Sequence, residues 1–195
     1  MKKYICFLVA MLTLALIGCS SNGKPEKESI FIVGTDSDNN GKGIEWFLLE
    51  ETEEEYLLMS RQEVDSLYAD KPSDWEHSQI RLWLNNEFYE KVFDADEKDR
   101  ISEKYINNPD SSGYNISWQG QGGKSTYDKV YLLSYEEYKK YKDIIEKNIG
   151  DEDDWWLRSP GITIVDTMYV SNGEIMGDGK NDDQKGIHPV IAYKK

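Results

Sequence analysis

Apolar and polar residues change their period along the chain. In the first third the apolar residues come in short runs, Phe31-Ile32-Val33, Ile44 to Leu49 and Tyr56 to Met59, separated by turn-rich or acidic links. This pattern predicts an opening strand and a hairpin, with alternation clearest in Glu45-Trp46-Phe47-Leu48. Ser60 and Glu63 then have capping-box spacing ahead of Val64 and Leu67, which predicts a short helix. Beyond a loop containing Pro72, SQIRLWLNNEFYEKVF places Ile80, Trp83, Leu84, Phe88 and Val92 at spacings of three and four. That is one apolar stripe of an amphipathic helix, with Ser78 as N-cap and Trp83 in the core. Asp94 and Glu97 repeat the capping spacing before a further short helix around Ile101.

The second half has its own order. Asn107 to Thr126 is rich in Asn, Ser, Gly and Gln and reads as a long surface excursion. Lys129 to Leu133 restores a strand. Ser134 and Glu137 form a capping box heading a helix whose Tyr138, Tyr141, Ile144, Ile145 and Ile149 share a face, and Gly150 ends it. From Trp155 the pattern is β: WWLR, TMYV, an Asn172-Gly173 turn, GEIM, an acidic loop and HPVIAY. Short strands with two main helices predict an α+β fold, and 195 residues suffice for one domain, residues 30–195.

The N-terminal segment changes the picture. Lys2 and Lys3 precede an uncharged apolar run from Tyr4 to Ile17 and small residues before Cys19, the layout of an export signal over residues 1–18. Leu16-Ile17-Gly18-Cys19 resembles a bacterial lipobox, which implies cleavage before Cys19 and lipidation of its sulfur. Residues 19–29 would then be a flexible tether, and the domain would sit outside the cell, lipid-anchored to the membrane. The only other cysteine is Cys6, so disulfides, thiolate nucleophiles and cysteine-held metals are excluded from the domain. A formal charge of −14 argues against nucleic-acid partners.

Candidate chemistry is sparse. GQGGKST, from Gly120, lacks the first glycine of a phosphate loop, Trp118 standing in its place. Asp36, Asp38 and Asn40 resemble the first half of a calcium loop, but the twelfth position is Phe47. Asp178, Asp182 and Asp183 form a second acidic loop. No motif requires a cofactor; calcium is the ion these loops would take. His77 and His188 sit in no metal spacing, and read as solvated or structural. In DDWWLRSPG, Trp155, Trp156 and Arg158 have two readings: a core strand in which Arg158 pairs with an acid such as Glu45 or Asp166, or a binding site.

Three blocks carry a family resemblance over nearly all of residues 30–193. They are Ile44-Glu45-Trp46; Trp75 with Ser78-Gln79-Ile80-Arg81-Leu82-Trp83-Leu84-Asn85; and Asp128-Lys129-Val130 through Leu133-Ser134 with Trp155 to Gly161. The sequence resembles a family of unknown-function domains in exported proteins of Gram-positive bacteria. Where that family usually closes on Gly-Val-Arg-Pro, this chain has Gly186-Ile187-His188-Pro189. The family is distantly similar to the C-type-lectin-like fold shared with formylglycine-generating enzymes, which implies short twisted antiparallel sheets and two flanking helices. The catalytic cysteines of those oxidases have no counterpart here. The reading that follows is a non-catalytic recognition domain for carbohydrate or envelope components. The alternatives are an envelope-glycan hydrolase using paired carboxylates and a purely structural envelope protein.

Overall fold

The computed structural model describes residues 30–36, 41–69, 74–150, 154–180 and 182–195. The expected signal, Cys19, the tether, Asp38, Asn40 and Pro72 lie outside the described residues.

Eleven of the strands fall into two curled sheets, which are antiparallel apart from one parallel contact. Strands β1 (Ile30–Asp36), β2 (Lys42–Glu51) and β3 (Glu55–Ser60) form a meander. The predicted helix after Ser60 is replaced by a strap and the short strand β4 (Ser66–Tyr68). Capping spacing misleads here because Ser60 still belongs to β3. Its N–H goes to Pro189 O, Arg61 N–H to Glu45 O and Val64 N–H to Ile187 O. Backbone donors committed to distant carbonyls cannot also build a helical turn.

Ser78 caps α1 (Gln79–Trp83), which runs through a π-helical turn, Leu84–Phe88, into α2 (Tyr89–Val92). Ile80, Leu84, Phe88 and Val92 are buried as the stripe predicts. Trp83 is only half-buried, leaning on Phe88 at 5.2 Å, and Tyr89 joins the core. The wide turn explains the difference: a π segment holds more residues per turn, so a 3.6-residue stripe drifts. Asp94 and Glu97 close a full capping box on α3 (Ala95–Arg100), but Ile101 begins strand β5 (Ile101–Ser102) rather than lying in the helix.

Strand β6 (Lys104–Ile106) pairs with β7 (Thr126–Asp128) as a separate ribbon. The polar segment between them is not a free surface loop. Asn108, Ser111 and Gly122 are buried, and a Cβ on Gly122 would stand 2.1 Å from Asn108 O. Strand β8 (Val130–Tyr131) leads to α4 (Tyr135–Ile149), whose Ser134–Glu137 box forms as read. Tyr138, Tyr141 and Ile145 are its buried face. Then come β9 (Trp155–Pro160), β10 (Thr167–Ser171), β11 (Glu174–Gly179), β12 (Gln184–Gly186) and β13 (Val190–Lys194). Asn172 and Gly173, both at positive φ, make the β10–β11 turn.

The first sheet runs β1-β2-β3-β13-β5, with β8 also on β13; the second runs β11-β10-β9-β12-β4, β12 meeting β9 in parallel. One hydrophobic cluster joins both sheets, α4 and the α1–α2 helix. Among the described residues no helix is long and apolar enough to cross a membrane.

Candidate functional site

The aromatic block of β9 is scaffold. Trp155 and Trp156 are 2% and 0% exposed, and Arg158 6%. Strand alternation sends the tryptophans to opposite faces. Trp155 meets Tyr138 and His188, each at 5.6 Å, while Trp156 packs on Tyr169 and donates Nε1–H to Leu67 O. Arg158 donates to Leu132 O at 2.6 Å and pairs with Glu137, not with Glu45 or Asp166. Those two acids pair with Arg61 and Lys180. Trp155, Trp156 and Arg158 thus lie where the core-strand reading puts them, buried and with little side-chain surface open to a ligand.

The other motif residues form a second internal brace. The Asp128 carboxylate is fully buried and accepts from Arg81 Nε at 2.6 Å, Trp75 Nε1 at 2.8 Å and Thr126 Oγ at 2.7 Å. Beside it, Asn85 donates Nδ2 to Val130 O at 2.7 Å and accepts from Lys129 N at 2.8 Å, in the manner of a strand residue. The π turn thereby docks onto β8.

Among the described residues, the candidate metal ligands of the two acidic loops form no cluster. Asp36 ends β1 opposite Lys42; Asp178 and Asp182 are exposed, and Asp183 accepts from Lys180 N within its own turn. Among the described residues, the one group of three acid or histidine side chains with ligand atoms within 4.8 Å is Asp74, Glu76 and His77. Its groups are already engaged: Asp74 Oδ1 accepts from His77 N and faces its Nδ1, and Glu76 accepts from Lys124 N. That carboxyl sits below its usual range, chiefly through the Lys124 N–H. GQGGKST leads into β7 rather than a helix, so no phosphate cradle forms.

Two surface features remain. On the outer face of the ribbon, Tyr105 and Tyr127 are directly paired, 62% and 64% exposed, with ring centres 5.4 Å apart. Next along, Ser125 Oγ approaches Asn107 Oδ1 at 3.4 Å. The ribbon's inner face carries buried Ile106, Thr126 and Asp128, so the rings stand on a braced base. The second feature is an open hollow of about 230 Å³ between the first sheet, the β2–β3 turn and β6. Glu50, Thr52, Glu55, Leu57, Lys104, Tyr131 and Ala192 line it.

Residues 45–194 match the family DUF6273, a domain of unknown function. The chain belongs to that family. No curated protein and no solved structure matches it. The tyrosine pair and the hollow both lie within the DUF6273 span.

Within the DUF6273 domain the carboxylates at these places are neutralised. Glu55 is held below the usual carboxylate range by its 2.7 Å bond from Lys104, against burial. Glu50 is met by Lys140 and Tyr141. For Glu137 burial is the largest influence and pushes upward, but the Arg158 charge and hydrogen bonds outweigh it and the net shift is down. Burial pushes the Tyr131 hydroxyl well above its usual value. Neither hollow nor platform was visible in the sequence: Tyr105 and Tyr127 are 22 positions apart across a loop that read as featureless.

Proposed function

We propose that this chain is a lipid-anchored, outward-facing recognition domain that binds carbohydrate or another envelope component without transforming it. The observation that carries the reading is the Tyr105–Tyr127 pair. The two rings meet edge to face, their planes 63° apart, and their outward apolar surface is what a sugar's C–H side would pack on. Asn107 and Ser125 stand beside them as hydroxyl-binding groups. The two curled sheets with two main helices are compatible with a C-type-lectin-like assignment, and the sequence resemblance to that fold supports it. The lipobox-like Leu16 to Cys19 supports the anchor, and the charge of −14 disfavours nucleic acid.

The hydrolase alternative has less support. A glycoside hydrolase needs a carboxyl that stays protonated to act as the acid. Glu55, across the hollow from Glu50, is shifted the other way. The test is titration of the purified chain with a glycan panel and peptidoglycan fragments, with and without calcium. Tyr105→Ala/Tyr127→Ala should weaken binding about tenfold or more with melting unchanged, since two exposed stacking rings contribute on the order of 1.5 kcal/mol. A folded double variant that binds like wild type would refute the platform.

A further inference from the structure

The hollow beside β2 has features that recognition at the tyrosine pair does not use. It begins with a β-bulge: Leu48 pairs with Leu58, but Glu50, not Leu49, pairs with Leu57. Leu48 and Leu49 are both buried, and the extra residue turns Glu50 onto the same face as Leu57. Bulges of this kind re-aim side chains next to sites. Leu57 pairs in turn with Ala192, and Glu55 lies two residues before Leu57 on the same face. The floor is thus carbon, made by Leu57, Ala192 and the buried Tyr131 ring.

The rim is charged but balanced. Glu55 meets Lys104 at 2.7 Å, with side chains 22% and 39% exposed. Glu50 meets Lys140 at 2.6 Å, with side chains 45% and 57% exposed. Two acids and the Lys104 ammonium therefore edge an apolar floor, with Lys140 bonded to Glu50 beside them. A ligand with a single charge meets a like charge next to every opposite one, whereas a dipolar ligand can set each end against its complement. An ammonium group keeps further N–H donors beyond the one that Lys104 gives Glu55. The volume of about 230 Å³ is below the range of about 300–1,000 Å³ usual for drug-sized ligands, so a small molecule fits.

We propose that this hollow binds a small zwitterion, an α-amino acid or the end of a short peptide, with its carboxylate at Lys104, its ammonium at Glu50 and its side chain on Leu57, Ala192 and Tyr131. The site is separate from the tyrosine platform and stands whether or not that platform binds sugar. The test is calorimetric titration of the full chain with alanine, dialanine, N-acetylalanine and alanine amide. Alanine or dialanine should bind with a millimolar or tighter Kd, and each singly capped compound about tenfold or more weaker. Preference for alanine identifies a free amino acid, and preference for dialanine a peptide end. Glu50→Gln and Lys104→Gln, each checked for wild-type circular dichroism, should each weaken binding about tenfold or more. Leu57→Trp, which fills the floor, should do the same without removing a charge. Absence of binding by both zwitterions, equal binding of the capped forms, or wild-type affinity in both folded charge variants would overturn the proposal.

Discussion

Removing Arg158 tests whether the WWLRSPG block is scaffold. In Arg158→Ala, Leu132 O loses its 2.6 Å donor and Glu137 its cation. Deleting one partner of a buried pair typically costs about 3–5 kcal/mol. Glu137 keeps bonds from Ser134 N at 2.7 Å and Ser134 Oγ at 2.9 Å, so it is not stranded, which places the loss near the lower end, about 3 kcal/mol. For a chain of this length that is a fall of about 6–12 °C in Tm, measurable by calorimetry. Arg158→Lys should recover part of it, since an ammonium keeps the charge but on a shorter stem than the Nη1 that reaches both Leu132 O and Glu137. The pH dependence is a second signature. Glu137 is depressed below its ordinary 4.5 in the folded state, so its contribution is present above about pH 4.5 and lost as pH falls through the lower folded value. In Arg158→Ala only the Ser134 bonds are left to oppose burial at Glu137, and that acid loss should flatten. A variant that melts within about 1 °C of wild type at pH 7, with an unchanged acid slope, would refute the reasoning.

Asp128→Ala removes the acceptor for Arg81, Trp75 and Thr126 together, and chemical denaturation should show a loss of about 3–5 kcal/mol; a loss under about 1 kcal/mol would mean the brace is dispensable. Cys19→Ala should move the chain from the membrane fraction to a soluble or precursor form on fractionation of producing cells, and persistence in the salt-washed membrane at normal size would argue against a lipid anchor.

What was legible in the sequence was local. The Ser134–Glu137 and Asp94–Glu97 boxes form because their partners lie three residues away and no distant strand competes. The same spacing at Ser60 and Glu63 fails because the backbone there answers to Glu45, Ile187 and Pro189. Glu63 itself packs against Gly186, where a Cβ would stand 2.0 Å from its Oε1. Arg158 could be read as paired, but its partner Glu137 could not be singled out among many acids, because the choice is made by where α4 lands on β9. The polar segment before β7 looked solvated from composition, yet Gly120 and Gly122 let its backbone pack on Gly161 and on Asn108 and Pro109. The hollow draws Glu50, Lys104, Tyr131 and Ala192 from four separate strands, and no window of sequence contains it.

The place of β13 bears on when this fold can exist at all. Residues 190–194 are the last strand described, yet they lie inside the first sheet, bonded to β3 on one edge and to β5 and β8 on the other. Until that segment is available, β3 keeps an open edge and Leu58, Met59 and Val130 lack their cover. Pairings of such long sequence separation close slowly, because the loop entropy must be overcome before the contacts form. The early meander can therefore assemble only as an incomplete sheet while the chain emerges, and the final commitment waits for its far end. Until β13 arrives the β3 edge is a strand template open to pairing with another chain.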